Sequence, residues 1–119
     1  MDGLIAEQSP IAERNAPCCT AESLIRMGES AADNWAKIFK ALGNPVRVQI
    51  LDILSRHGGQ VCVCDLESQF NLSQPTISHH MKVLRKAGLL TTEQRGQWIF
   101  YRVQDSMVQK LTSFLAGLS

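Results

Sequence analysis

The sequence contains no stretch of about 18 or more apolar residues, the length that marks a membrane-spanning helix. Its acidic start at Asp2 lacks the basic region that opens a signal peptide, so we expect a cytoplasmic protein with no membrane partner. It also has no internal repeat, no nucleophile paired with a base and no glycine-rich phosphate loop, so an enzyme is not expected. Its 119 residues, 45% of them hydrophobic, suffice for one small domain.

The net charge of +1 is small, but the charges are unevenly placed along the chain. Residues 1–43 hold four basic side chains against six acidic ones, a balance of −2. Residues 73–102 hold five basic side chains against one acidic one, a balance of +4. Because the distribution of charge governs attraction to a polyanion, residues 73–102 are the predicted contact with nucleic acid.

Apolar spacing and capping residues predict a flexible N-terminal arm over residues 1–20 and one domain over residues 21–119. Helices are expected over residues 21–28 (a weak one), 31–42, 45–57, 65–70, 73–87 and 105–118. A short extended stretch is expected over residues 60–63, and alternating side chains predict strands over residues 89–94 and 97–103 with Gly96 at the tip between them. A hairpin after the second helix of a helix-turn-helix is typical of a mainly α (α+β) winged helix-turn-helix with a two-stranded β-hairpin wing.

The first and last of the main helices carry apolar stripes, from Trp35 to Leu42 and from Val108 to Leu118. A homodimer would bury both stripes between two copies of the chain, and the alternative is that both pack within one domain.

The helix expected from Ser73 onward is suited to the major groove of duplex DNA. Ser73 is a good N-cap, and residues at a helix N-terminus reach base edges first. The candidate base readers on this helix are Gln74, Thr76, Ser78 and His79. Lys82 is better placed for a phosphate, and Arg95 and Gln97 at the wing tip can reach the backbone or the minor groove. The alternative is that this polar surface is merely solvated.

Four cysteines occur as two close pairs, Cys18 with Cys19 and Cys62 with Cys64. A reducing compartment disfavours structural disulfides, so the pairs suggest a soft metal site or a redox switch. Trivalent arsenic or antimony prefers three sulfurs, whereas cadmium, lead and zinc are better satisfied by four. The alternative for Cys62 or Cys64 is a small buried apolar side chain.

Several motifs together resemble the ArsR/SmtB family of metal-sensing repressors. They are LGNPVR at residues 42–47, VCVCDL at 61–66, LSQPTISHHM at 72–81, LRKAGL at 84–89 and RGQW at 95–98. The likeness covers about residues 31–116. It implies a homodimeric winged helix that occupies an operator on double-stranded DNA and leaves it when a toxic ion binds.

The resemblance also implies where that ion binds, and it is strongest to the arsenic-sensing members. A zinc site with histidines on the last helix, one option in the family, is absent because no histidine follows His80. The VCVCDL motif resembles the thiolate site of arsenic- and cadmium-sensing members, which carries over to Cys62 and Cys64. In one arsenic-sensing pattern a third cysteine stands where this chain has Glu67. Other members use N-terminal cysteines, so Cys18 and Cys19 are expected to complete the site.

The expected inducer is therefore As(III) or Sb(III), bound by thiolates drawn from both cysteine pairs. The alternatives are a sensor of Cd(II), Pb(II) or Zn(II) that uses the same cysteines, and a repressor whose thiols respond to oxidation.

Overall fold

The structure is a computed structural model that describes residues 24–119. The expected arm lies outside the described residues, as do Cys18 and Cys19. The elements in chain order are α1 (Glu29–Leu42), α2 (Pro45–His57), β1 (Val61–Cys62), α3 (Val63–Phe70), α4 (Gln74–Lys86), β2 (Leu90–Arg95), β3 (Trp98–Val103) and α5 (Asp105–Ala116). Within the described residues, every helix is too short or too polar to cross a membrane.

The start of α2 forms as its sequence predicts. The side-chain oxygen of Asn44 accepts hydrogen bonds from the backbone N–H groups of Val46 at 2.9 Å and Arg47 at 3.2 Å. Pro45 occupies the first helical turn, where its missing N–H leaves no bond unmade. The cap therefore satisfies the N–H groups of Val46 and Arg47, which the helix leaves unpaired at its start.

The prediction of a weak helix over residues 21–28 is wrong for residues 24–28, the part of it that the structure describes. Residues 24–28 are not helical, and Leu24 and Ile25 are largely exposed. A short helix needs an apolar face packed against the body, and these side chains have no such burial. α1 begins instead at Glu29, after Gly28 in an extended conformation.

The wing is a three-stranded antiparallel sheet with the strand order β1, β3, β2. β2 and β3 form the expected hairpin, with Gly96 at its tip in the left-handed region at φ +63°. The expectation of two strands is corrected by β1, because Val61 pairs with Tyr101 and Cys62 pairs with Phe100. The short extended stretch expected over residues 60–63 is thereby joined to the wing.

The apolar core lies where α2, α3 and α4 meet the base of the wing. Its fully buried side chains are Ile50, Leu54, Leu66, Ile77, Met81, Leu84 and Leu89. α5 has no buried residue, and its Phe114 ring stacks on Trp35 of α1 at a centroid distance of 4.3 Å. One chain by itself therefore leaves the apolar face of α5 mostly open.

Candidate DNA-binding surface and cysteine site

Helix α4 presents a polar face to solvent because its apolar residues recur every three or four positions. Ile77, Met81 and Leu84 are buried against the core. The candidate DNA contacts on this helix are all exposed, namely Gln74, Thr76, Ser78, His79 and Lys82. The structure thus brings these five residues together on one accessible surface, as a helix that enters the major groove requires.

Ser73 precedes α4 in the N-cap position, but its side chain makes no capping bond to the backbone. The Ser73 hydroxyl instead shares a hydrogen bond of 2.9 Å with the hydroxyl of Thr76. The candidate reader Thr76 is therefore held by Ser73, the residue expected to cap the helix.

The two wing residues differ in what they contact. Gln97 is exposed beside Gly96 at the tip, as expected. Arg95 turns back toward the body, where it donates to the carbonyl of Gly59 at 2.9 Å and to Glu93 at 3.0 Å. Its guanidinium also lies 4.5 Å from the centroid of the Phe100 ring. A contact between Arg95 and DNA would thus require these interactions to be exchanged for a phosphate.

The structure shows a contact between Arg47 and His80 that the sequence did not indicate. The Arg47 guanidinium donates from Nε to the carbonyl of Ala41 at 2.6 Å and from Nη1 to Nδ1 of His80 at 3.1 Å. A longer contact of 3.4 Å reaches the carbonyl of Lys40. Arg47 thereby joins the end of α1 to the middle of α4.

The protonation state of His80 follows from this environment. Burial lowers the pKa of His80 below its ordinary value, and the positive charge of Arg47 and the neighbouring His79 lower it further. The neutral ring is the form whose nitrogen can accept the Arg47 hydrogen bond. The contact joins residues 33 positions apart, so no local motif could have indicated it.

Cys62 and Cys64 come together at the start of α3. Cys62 is the N-cap and is buried, whereas Cys64 lies in the first turn and is exposed. Their sulfurs are paired as a disulfide, with the two Cα atoms 5.5 Å apart. The bond joins the last residue of β1 to the first turn of α3, two positions along the chain, so it links no distant parts of the fold.

Asp65 organises this helix start. Its carboxylate accepts a hydrogen bond from the backbone N–H of Cys62 at 3.1 Å and lies 3.5 Å from the Cys62 sulfur. The two sulfurs and a carboxylate oxygen of Asp65 all lie within 4.8 Å of one another. One oxygen of Asp65 thus holds the helix start, and in the reduced form the two thiols are the soft ligands available to an ion at this point.

Comparison with known proteins agrees with this architecture. The family model described as bacterial regulatory protein, arsR family, matches residues 44–92. An uncharacterised HTH-type transcriptional regulator of Methanocaldococcus jannaschii is 42% identical over 83 residues, which are 70% of this chain and 92% of that protein. An arsenical resistance operon repressor of Staphylococcus xylosus is 41% identical over 78 residues, 66% of this chain and 73% of that protein. A CadC homolog of Staphylococcus aureus, a cadmium resistance transcriptional regulatory protein, is 37% identical over 76 residues, 64% of this chain and 62% of that protein.

Two solved structures share the fold. An ArsR-like transcriptional regulator from Rhodococcus sp. RHA1 matches with a TM-score of 0.68 and 25% identity, over 77% of this chain and 83% of that one. A homodimeric winged helix-turn-helix DNA-binding domain from Mycobacterium bovis matches with a TM-score of 0.61 and 26% identity, over 81% of this chain and 89% of that one. This chain has the same winged helix-turn-helix fold, and it belongs to the arsR family of bacterial regulatory proteins.

Proposed function

We propose that this chain is a transcriptional repressor that binds operator DNA as a homodimer and leaves it when As(III) or Sb(III) binds cysteine thiolates. The observation that carries the proposal is the meeting of the Cys62 and Cys64 sulfurs at the start of α3, the helix directly before α4. Relatives named as arsenical and cadmium resistance regulators support a soft, thiophilic inducer.

The DNA-binding half of the proposal rests on the exposed face of α4 and on the wing. Gln74 and Thr76 stand at the N-terminal end of α4, the end that reaches base edges. Lys82 lies two turns further along the same exposed surface, where a cation suits a phosphate. Gln97 at the wing tip is exposed and can contact the DNA backbone.

Dimerisation rests on the unpartnered apolar surface of α1 and α5. Val108 and Leu115 of α5 are 41% and 49% exposed in the single chain, and Leu118 after it is 70% exposed. Phe39 of α1, whose ring lies 5.9 Å from that of Phe114, is 38% exposed. A second copy would remove this surface from water, at about 25 cal/mol for each Å² of apolar area. The homodimeric Mycobacterium bovis domain shows that a chain of this fold assembles in pairs.

Two thiolates at the start of α3, from Cys62 and Cys64, leave a metalloid one sulfur short of the three that it prefers. Cys18 and Cys19 are the remaining thiols in the chain, and at least one of them is proposed to complete the site. Glu67 follows Cys64 by three positions on α3, so it occupies the same face of the helix but offers a hard oxygen donor.

Release of DNA follows from linkage between the two sites. An ion that binds more tightly to the DNA-free form must weaken DNA binding by the same factor. α3 packs on α4, with Leu66 of α3 fully buried in the core beside α4 residues. An ion that repositions α3 therefore moves α4, and two α4 helices must stay about 34 Å apart to occupy successive major grooves.

A redox switch is a second candidate, and the paired sulfurs of Cys62 and Cys64 are the observation that favours it. Two thiols and one peroxide would give one disulfide and two waters, with the sulfurs oxidised and the peroxide reduced. The disulfide has no free thiolate, so oxidation and ion binding at this site exclude each other.

The test uses the reduced full chain and a fluorescent duplex that this protein selects from a random library. Anisotropy is measured while arsenite, cadmium, lead, zinc or peroxide is added separately. The variants are Cys62→Ser, Cys64→Ser and the double change Cys18→Ser with Cys19→Ser, each compared with Glu67→Gln as a control on α3. Glu67→Cys is then added to the double variant, because it supplies a third sulfur from α3 itself.

We expect arsenite to release the wild type and the Glu67→Gln control at similar concentrations, and to release none of the three serine variants. Glu67→Cys should restore release to the double variant. Arsenite release of a chain without Cys62 would refute the site, and failure to select any duplex would refute DNA binding. Release by peroxide alone, reversed by a dithiol, would establish the redox switch instead.

A further inference from the structure

A basic groove of about 360 Å³ lies between α1 and α4. We call it the α1–α4 groove. Its charged lining consists of Lys37 and Lys40 of α1, Arg47 of α2 and Lys86 of α4, and His79 of α4 also lines it. Among the described residues, no acidic side chain lines it. Two of these cations, Lys37 and Lys40, come from the part of the sequence whose net charge is negative.

Helix phase explains why α1 contributes lysines here. Ile38 and Ala41 are the buried residues of α1, while Lys37 and Lys40 are exposed. At about 100° per residue, the two lysines lie on one flank of the buried stripe, and Phe39 lies on the other. The basic flank is therefore distinct from the aromatic stripe that faces α5.

Arg47 gives the groove a fixed cation. Its guanidinium is held by the carbonyl of Ala41 and by His80, so its charge stays between α1 and α4. His79 and Lys86 line the groove and also belong to the exposed surface of α4. A duplex seated on that surface would pass the mouth of the groove.

We propose that the α1–α4 groove binds the sugar-phosphate backbone of the DNA that α4 reads, with Lys37 and Lys40 as phosphate contacts outside the recognition helix. This inference rests on the proposed DNA binding. The occupant is argued from charge complementarity and from the shared position of His79 and Lys86 on both surfaces. Such contacts fix the protein on the duplex and carry no sequence information.

The test compares Lys37→Gln, Lys40→Gln and the double variant with wild type and with Arg56→Gln. Arg56 is a suitable control because it loses the same charge, does not line the groove and pairs with Asp52 on the exposed end of α2. Affinity is measured for the selected duplex and for a scrambled duplex between about 0.05 and 0.3 M salt, and binding of inorganic tripolyphosphate is measured without DNA.

Each lost phosphate contact should reduce the slope of log K against log salt by about 0.9 per protomer and weaken binding at ~0.1 M salt about tenfold. The ratio of affinities for the selected and scrambled duplexes should stay unchanged. A slope equal to that of Arg56→Gln would overturn the proposal while leaving DNA binding by α4 intact. The proposal would also be overturned if the lysine variants lost tripolyphosphate binding but kept their DNA affinity, because the groove would then bind a small anion and not DNA.

Discussion

Arg47 is the residue whose replacement tests the architecture most directly, because one side chain joins three helices. It extends from α2, caps the carbonyl of Ala41 at the end of α1 and contacts His80 on α4. Arg47→Met keeps most of the aliphatic stem but removes the charge and every donor of the guanidinium.

The expected loss follows from the individual bonds. A hydrogen bond that involves a charged group contributes about 1.5–3 kcal/mol, and the lower end applies because Arg47 is only partly buried. The contact of 3.4 Å with the Lys40 carbonyl is too long to add much. The two shorter bonds together give a loss of about 3 kcal/mol, which lowers the Tm of a domain of this size by roughly 10 °C.

The measurement is urea unfolding followed by circular dichroism, without DNA and at one fixed protomer concentration, because a dimer's stability depends on concentration. Arg56→Met is the matched control on the same helix, since Arg56 is exposed and, within residues 24–119, pairs with Asp52 at the surface. The control should change stability by less than about 0.5 kcal/mol. If Arg47→Met falls within that same range, Arg47 does not join the helices as described.

Two further predictions concern the neighbours of Arg47. Burial and the Arg47 cation lower the pKa of His80 below its ordinary value of 6.5, so the folded chain binds fewer protons than the unfolded one and stability should fall as the pH drops below 6.5. Unfolding midpoints between pH 7.5 and 5 should depend less on pH in His80→Gln than in wild type, and equal dependence would contradict the assignment. Asn44→Ala should lower the free energy of unfolding by about 1 kcal/mol in the same urea assay, because it removes the cap bonds to Val46 and Arg47. Asn44→Asp should lower it much less, because aspartate also caps a helix well. Equal losses in both Asn44 variants would show that the cap contributes nothing.

Local signals account for the elements that the sequence predicted well. The Asn44 cap and the apolar spacing of Ile77, Met81 and Leu84 depend on residues within one or two turns of a helix. The alternation before and after Gly96 is likewise local. These patterns placed α2, α4 and the hairpin within one or two residues of their observed ends.

Contacts between distant residues account for what the sequence could not indicate. β1 is only two residues long, and its pairing with β3 depends on Val61 meeting Tyr101. The return of Arg95 to the carbonyl of Gly59 spans 36 positions. Neither contact leaves a local pattern, so the sequence indicated an extended stretch at residues 60–63 without its pairing to β3, and it did not indicate that the Arg95 side chain turns back from the tip.

Charge counted along the chain does not show which charges lie together in the fold, for a related reason. Residues 1–43 are acidic in sum, yet Lys37 and Lys40 share one flank of α1 and lie beside Arg47 and Lys86 in the fold. Burial of Ile38 and Ala41 fixes the rotation of α1, which decides the flank on which these lysines stand. The charge of a surface thus depends on how each helix is rotated and packed, and the net charge of a stretch of sequence carries no information about either.

The position of Cys62 explains how one small ion could act on both DNA-contacting elements of the proposed repressor. Cys62 belongs to β1 and pairs with Phe100 of β3, and it is also the N-cap of α3, which packs on α4. Arg95 of the wing lies over the Phe100 ring. A ligand bond to the Cys62 sulfur would therefore act where the wing meets α3, the helix that packs on α4. Coupling energies between sites are commonly about 1–3 kcal/mol, so the proposed release would weaken DNA binding by about 5- to 150-fold.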